Sequence, residues 1–172
     1  IINRCEAYGS AKSTEGGYVG GISGEATAGI RQCFSLCSLS GDTYVGGIAG
    51  YATNLRDSYA MSDVSFESGR GGAIAGQVGT KEDDYVMADH IIGNYYVGDD
   101  LAGIDNISYT GIAEPITYET LLSVANLPLD YRHLTVYYMV DGECVDSQEV
   151  PYGESLSDLT MPEVPKKDGF NG

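Results

Sequence analysis

Tyr18-Val19-Gly20-Gly21-Ile22-Ser23-Gly24 returns as Tyr44-Val45-Gly46-Gly47-Ile48-Ala49-Gly50, and again, degraded, as Arg70-Gly71-Gly72-Ala73-Ile74-Ala75-Gly76. The Ile-x-Gly core advances by 26 residues both times, through Ile22, Ile48 and Ile74 and through Gly24, Gly50 and Gly76. A second line runs between the copies: Ile2-x-x-Cys5, Ile30-x-x-Cys33, Leu55-x-x-Ser58 and Ile91-x-x-Asn94. Its spacing varies while the apolar positions persist, as expected when insertions fall in the loops of a stacked repeat.

The composition between these lines excludes helical repeats. Residues 1–112 show no sustained period of 3.6, and a Gly-Gly pair in each unit destabilises helix by about 1 kcal/mol per glycine. Short Val-, Ile-, Tyr- and Ser-rich strands broken by glycine remain. The chain is therefore expected to be mainly β, with a parallel β-solenoid of three to four coils in which identical residues stack about 4.8 Å apart. The crossover rule favours the right-handed form. Ile22, Ile48 and Ile74 should form one buried ladder, and Ile2, Ile30, Leu55 and Ile91 another. Cys5, Cys33 and Ser58 should share a ladder of small residues near a corner. Gly24, Gly50 and Gly76 are read as corner residues, through positive φ or close backbone approach.

The 172 residues carry a formal charge of -16, with 25 acids against 9 bases. That balance opposes nucleic acid and anionic membrane surfaces, both of which require clustered Lys and Arg. No apolar run reaches the length of about 20 needed to span a bilayer as a helix. Charge is uneven: residues 1–76 hold 7 acids and 5 bases, a net of -2, and residues 77–172 hold 18 and 4, a net of -14. The insertion from Gly79 to Tyr85 reads as a solvated loop. Thr117 begins a helical pattern running to Asn126, capped by its hydroxyl and with Leu121, Val124 and Ala125 on one face, suited to covering an end of the stack. From Leu134 the period becomes two, and Asp141-Gly142 between alternating segments predicts a hairpin. The domains implied are a solenoid at 1–112, a capping helix and linker at 113–132, and a small module at 133–172.

The thrice-repeated Tyr-Val-Gly-Gly-Ile-x-Gly led by the Ile-x-x-Cys line resembles the GLUG motif of bacterial surface proteins over residues 1–100. Ile91-Ile92-Gly93-Asn94-Tyr95-Tyr96-Val97-Gly98 resembles the closing rung of such arrays. The third copy departs from the pattern at Arg70 and Ala73. The stretch from Leu134 through Val150-Pro151-Tyr152-Gly153-Glu154 to Lys166-Lys167-Asp168-Gly169-Phe170 resembles the internalin-type B-repeat, a small β-grasp-like module. Both resemblances imply an extracellular position on a bacterial cell surface or wall. They imply a non-catalytic segment of an adhesin-like protein, or alternatively an accessory region of a large secreted peptidase or glycan-active enzyme. The expected partners are host glycans or matrix proteins, engaged by Tyr18, Tyr44, Tyr51 and Tyr59 on an exposed flank. A monomer without nucleic-acid or membrane partner is expected.

Tests for chemistry point away from catalysis. Gly16-Gly17-Tyr18-Val19-Gly20-Gly21 lacks the Gly-Lys-Ser/Thr ending of a phosphate loop and recurs in register, so structural turns account for it. His90 and His133 stand apart from any metal-ligand spacing, and Glu25 occupies the position where a nucleophile elbow requires glycine. Asp42, Asp57, Asp63 and Glu67 are the carboxylates best placed for a glycosidase pair on one face, although acids at coil corners are ordinary solvated residues. The run from Gly98 to Asn106 offers oxygens but lacks the alternating spacing of a calcium loop, so it reads as a solvated loop. Four cysteines form no CxxC, so no cofactor or metal is expected. They read as buried thiols, with Cys33–Cys37 and Cys5–Cys33 both open as disulfides in an exported protein.

Overall fold

Two of the apolar lines set the register of the whole first unit. In the computed structural model, which describes residues 1–79, 90–105, 108, 110–151 and 155–163, Ile2 pairs with Ile30, Ile30 with Leu55, and Leu55 with Ile91, all in parallel strands. The chain divides into two units, Ile1–Leu127 and Pro128–Gly172. The first is a parallel β stack. Its first coil holds β1 (Ile2–Asn3), β2 (Glu6–Lys12), β3 (Tyr18–Gly20) and β4 (Ser23–Ala26), and its second β5 (Ile30–Arg31), β6 (Phe34–Gly41), β7 (Tyr44–Gly46) and β8 (Ala49–Ala52). The third holds β9 (Leu55–Arg56), β10 (Tyr59–Ala60), β11 (Asp63–Phe66), β12 (Gly71–Gly72) and β13 (Ala75–Val78), and the irregular fourth β14 (Ile91–Ile92) and β15 (Asn94–Tyr96). A strand of a further turn, β16 (Ala113–Pro115), closes on β15. The four sheets run β1-β5-β9-β14, β2-β6-β10-β15-β16 with β11 also on β6, β3-β7-β12, and β4-β8-β13.

The interior is the expected pair of ladders. Ile30, Ile48, Leu55, Ile74 and Ile91 are fully buried, with Ile2 and Ile22 packed half-buried against them in the first coil. Ile48 N donates to Ile74 O at 2.8 Å and Ile22 N to Ile48 O at 2.9 Å, which keeps the isoleucines in step. A smaller apolar cluster gathers Val19, Cys37, Leu39 and Val45.

The repeated heptapeptide forms an arch whose two arms nearly touch. A Cβ at Gly24, Gly50 or Gly76 would lie 2.6, 2.7 or 2.8 Å from a backbone atom of the opposing arm, Tyr18 O, Val19 N and Val45 N respectively, and the one at Gly50 also 2.7 Å from Gly24 O on the neighbouring strand of its own sheet. None of the three has positive φ, so of the two roles expected for them, close approach is the one found. The degraded third copy has its own packing. The Phe66 ring fills the space a side chain at Gly71 would take, which is the position of Val19 and Val45 in the other coils. Arg70 Nε approaches Asp105 Oδ2 at 3.7 Å.

The stretch 98–105, read as a solvated loop, is in part a rung. Ile74 N donates to Gly103 O at 2.8 Å, Ala75 bridges to Ile104, and both Gly103 and Ile104 are buried. The helix forms at α1 (Tyr118–Leu122), with Thr117 Oγ1 accepting from Thr120 N at 3.2 Å and Leu121 buried. It is shorter than expected because Ser123 ends it, returning its hydroxyl to Thr120 O at 2.6 Å, and Asn126 turns left-handed at φ 61°. The second unit is an antiparallel pair, β17 (His133–Val140) and β18 (Glu143–Pro151), turning through Asp141 and Gly142 at φ 52° and 87°. Two positive values suit the type I′ hairpin turn. The register shifts by one residue between Tyr138 and Met139, a bulge. The acidic insertion after Gly79, residues 152–154 and the tail from residue 164 lie outside the described residues.

Candidate functional site

One corner of every coil is turned by a left-handed residue: Arg4 at φ 55°, Gln32 at 52°, Asp57 at 51° and Gly93 at 70°. A left-handed L-residue costs roughly 1–2 kcal/mol, and the first three carry long or charged polar side chains in register down the flank. Arg4 Nε donates to Gln32 Oε1 at 3.2 Å. Asp57 extends over the fourth coil, where a Cβ on Gly93 would meet Asp57 Oδ1 at 2.6 Å, so glycine there makes room for the carboxylate.

Two positions further along, a second ladder stands beside the first: Glu6, Phe34, Tyr59, Tyr95 and Glu114 are register partners on successive strands. Phe34 and Tyr59 stack with centroids 5.3 Å apart and planes 12° apart, and Tyr59 and Tyr95 at 5.6 Å and 25°. Half-buried rings at one strand spacing gain contact beyond their area burial. The polar corner and the aromatic ladder together line a groove of about 630 Å³, with Arg4, Glu6, Gln32, Phe34, Asp57 and Tyr59 on one side and Val124 to Asn126, just after α1, on the other. Burial, then the Tyr95 and Asp57 side chains, push the Tyr59 phenol above its ordinary value.

The four tyrosines expected on one flank divide. Tyr18 and Tyr44 stack at 4.9 Å and 26°, half-buried on the arch. Tyr59 stands on a different sheet, in the groove. Tyr51 is only 2% exposed: its ring tilts against Tyr18 and its hydroxyl donates to the Gly79 carbonyl. The exposed-flank reading of Tyr51 is corrected accordingly, since an inward β8 position buries it between Glu25 and Gln77 in register. Among the structural residues, Ile48 and Ile74 are buried and Ile22, on the outermost coil, half-buried.

The carboxylates separate as well. Asp42 and Glu67 line a second cleft of about 500 Å³ with Lys12, Thr14 and Phe66, and Ser68 Oγ donates to Asp42 Oδ1 at 2.6 Å. Asp57 lies in the aromatic groove, and Asp63 is exposed on β11. Among the described residues no three His, Cys, Asp or Glu side chains converge as metal ligands, and no helix is long and apolar enough to cross a membrane.

Sequence reasoning missed Phe34, Tyr95 and the polar corner. The signal was present: the residue after each small ladder position is Glu6, Phe34, Tyr59 and Tyr95, and the residue before it is Arg4, Gln32, Asp57 and Gly93. No family model, curated protein or solved structure matches the chain.

Proposed function

We propose that the chain is a non-catalytic segment of a bacterial cell-surface, adhesin-like protein, in which the coil stack acts as a rigid stalk and the groove over Phe34 and Tyr59 binds glycan. The observation that carries this reading is the pairing of an aromatic ladder with a polar one along a single groove. Its volume of about 630 Å³ falls in the range of small-ligand sites. Aromatic walls take the apolar C–H surface of a pyranose, while Glu6, Asp57, Gln32, Asn126 and Arg4 supply acceptors and donors for its hydroxyls. A net charge of -16 disfavours sialylated or sulfated chains, so neutral hexose oligosaccharides are the expected class. The GLUG-like repeat supports the surface location.

A glycan array probed with residues 1–172, alongside the Tyr59→Ala and Gln32→Ala variants, tests this. Saturable binding to neutral hexose chains, weakened at least tenfold in both variants, is the expected result. Binding that both variants retain would move the site off the groove. Binding confined to matrix proteins would replace the glycan reading.

A further inference from the structure

Cys5 and Cys33 occupy the same position in successive coils. Glu6 and Phe34 are register partners, and Phe34 N donates to Cys5 O at 2.9 Å. In-register neighbours on parallel strands stand about 4.8 Å apart, inside the separation of roughly 4.4–6.8 Å that a disulfide spans. The alternative partner for Cys33 fails on geometry. Cys37 lies four residues further along extended chain, about 13 Å away at strand rise. The third and fourth coils place Ser58 and Asn94 at this position, so the ladder holds one thiol pair only.

We infer that Cys5 and Cys33 are the site of an intramolecular disulfide that fastens the first coil to the second when the protein meets a small-molecule disulfide oxidant. Cys5 is exposed and Cys33 fully buried, so the oxidant reaches Cys5 first. The Cys5 thiolate attacks one oxidant sulfur and expels the other as a thiolate, leaving a mixed disulfide. Cys33, deprotonated, then attacks the Cys5 sulfur and expels the second oxidant half. Two protein thiols become one disulfide, and the oxidant becomes two thiols. Burial raises the Cys33 thiol pKa, consistent with its acting second. The bridge falls where the stack is least covered: Ile2 and Ile22 are half-buried, whereas Ile30 and Ile48 in the next coil are fully buried.

Oxidised glutathione added to the 172-residue chain, followed by intact mass and a non-reducing tryptic digest, tests the assignment. Cleavage after Arg4, Lys12, Arg31 and Arg56 isolates Cys5 in peptide 5–12 and Cys33 with Cys37 in peptide 32–56. The expected result is a loss of two hydrogen masses and a covalent 5–12/32–56 pair that persists in Cys37→Ser and is lost in Cys5→Ser. The oxidised chain should also unfold at a higher temperature than the reduced one, and this gain should be absent in Cys5→Ser. A stable glutathione adduct on Cys5, or a bridge from Cys5 to Cys37 or Cys144, would overturn the inference.

Discussion

Asn94 Oδ1 accepts from the backbone amide of Ser58 at 3.3 Å, across one coil of the stack. The same side chain donates through Nδ2 to Leu55 O at 2.8 Å and to Ile112 O at 3.0 Å, so one fully buried amide ties the third coil to the fourth and the fourth to the closing strand. Ser58 repeats the device one coil earlier, accepting from Cys33 N at 3.2 Å and donating to Arg56 O at 2.9 Å. The small ladder is thus a column of polar side chains that satisfies backbone groups at the corner, where regular pairing is interrupted.

Removing this column from the inside should be expensive. Asn94→Leu keeps the volume but removes the side-chain partner of the Ser58 amide and the Leu55 carbonyl, each worth about 1–3 kcal/mol, while Ile112 O still accepts from the Asn94 backbone amide. A loss of about 2–4 kcal/mol is expected in urea unfolding, with Ser58→Ala costing less because one hydroxyl replaces fewer bonds. A loss within 0.5 kcal/mol of zero for Asn94→Leu would show that water satisfies these groups.

The isoleucine ladder predicts a gradient from edge to centre. Ile48 is fully buried between Ile22 and Ile74, so Ile48→Ala should cost about 2–5 kcal/mol, and Ile48→Asp more, by burying an unpaired charge. Ile22 belongs to the outermost coil and keeps partial exposure, so Ile22→Ala should cost roughly half as much as Ile48→Ala. Equal losses at the two positions, measured by denaturant midpoints, would contradict the proposed difference in packing.

What the sequence revealed follows from which features repeat. Ile22, Ile48 and Ile74 recur at a fixed step because a ladder position admits little else, so the stack and its register were legible from them. The same logic placed Cys5, Cys33 and Ser58 together. The groove was harder to see because its chemistry changes at every coil: Arg4, Gln32 and Asp57 share a left-handed corner but no residue type. The fourth coil was legible at Ile91 and Asn94 but not where Gly103 and Ile104 take the places of Ile74 and Ala75, since an apolar line with a new spacing reads as a loop. Tyr51 was misplaced because alternation along a four-residue strand does not say which face an arch turns inward.

Gly50 tests the arch directly. Alanine there would bring Cβ to 2.7 Å from both Gly24 O and Val19 N, and both obstacles are backbone. Gly50→Ala should therefore cost about 1–3 kcal/mol or more by forcing the arms apart. Gly17, at φ +105° with nothing within 4 Å of the added atom, carries only conformational strain, roughly 1–2 kcal/mol. Crystallography or hydrogen exchange on the two variants separates the mechanisms: Gly50→Ala should loosen β3 and β8 together, and Gly17→Ala only its own turn.

Tyr59 links the groove to alkaline pH. Burial is the main cause raising its phenol pKa, followed by the charges of Tyr95 and Asp57, so the folded protein holds the proton more tightly than the unfolded chain, where tyrosine titrates near 10. Below that value both states are protonated and the contribution to stability is complete. As pH rises through the interval up to the folded value, the unfolded state loses its proton first, fewer protons are bound there than in the native state, and stability falls. The difference in alkaline unfolding between wild type and Tyr59→Phe isolates this residue from the other tyrosines, and the wild-type curve should fall more steeply above pH 10. Asp57→Asn removes one neighbouring charge while leaving burial in place. It should move the Tyr59 titration, followed by phenolate absorbance against Tyr59→Phe, downward without returning it to the ordinary value. An unchanged titration in Asp57→Asn would mean that the corner carboxylate points away from the aromatic ladder, and that the two sides of the groove do not act on a common ligand.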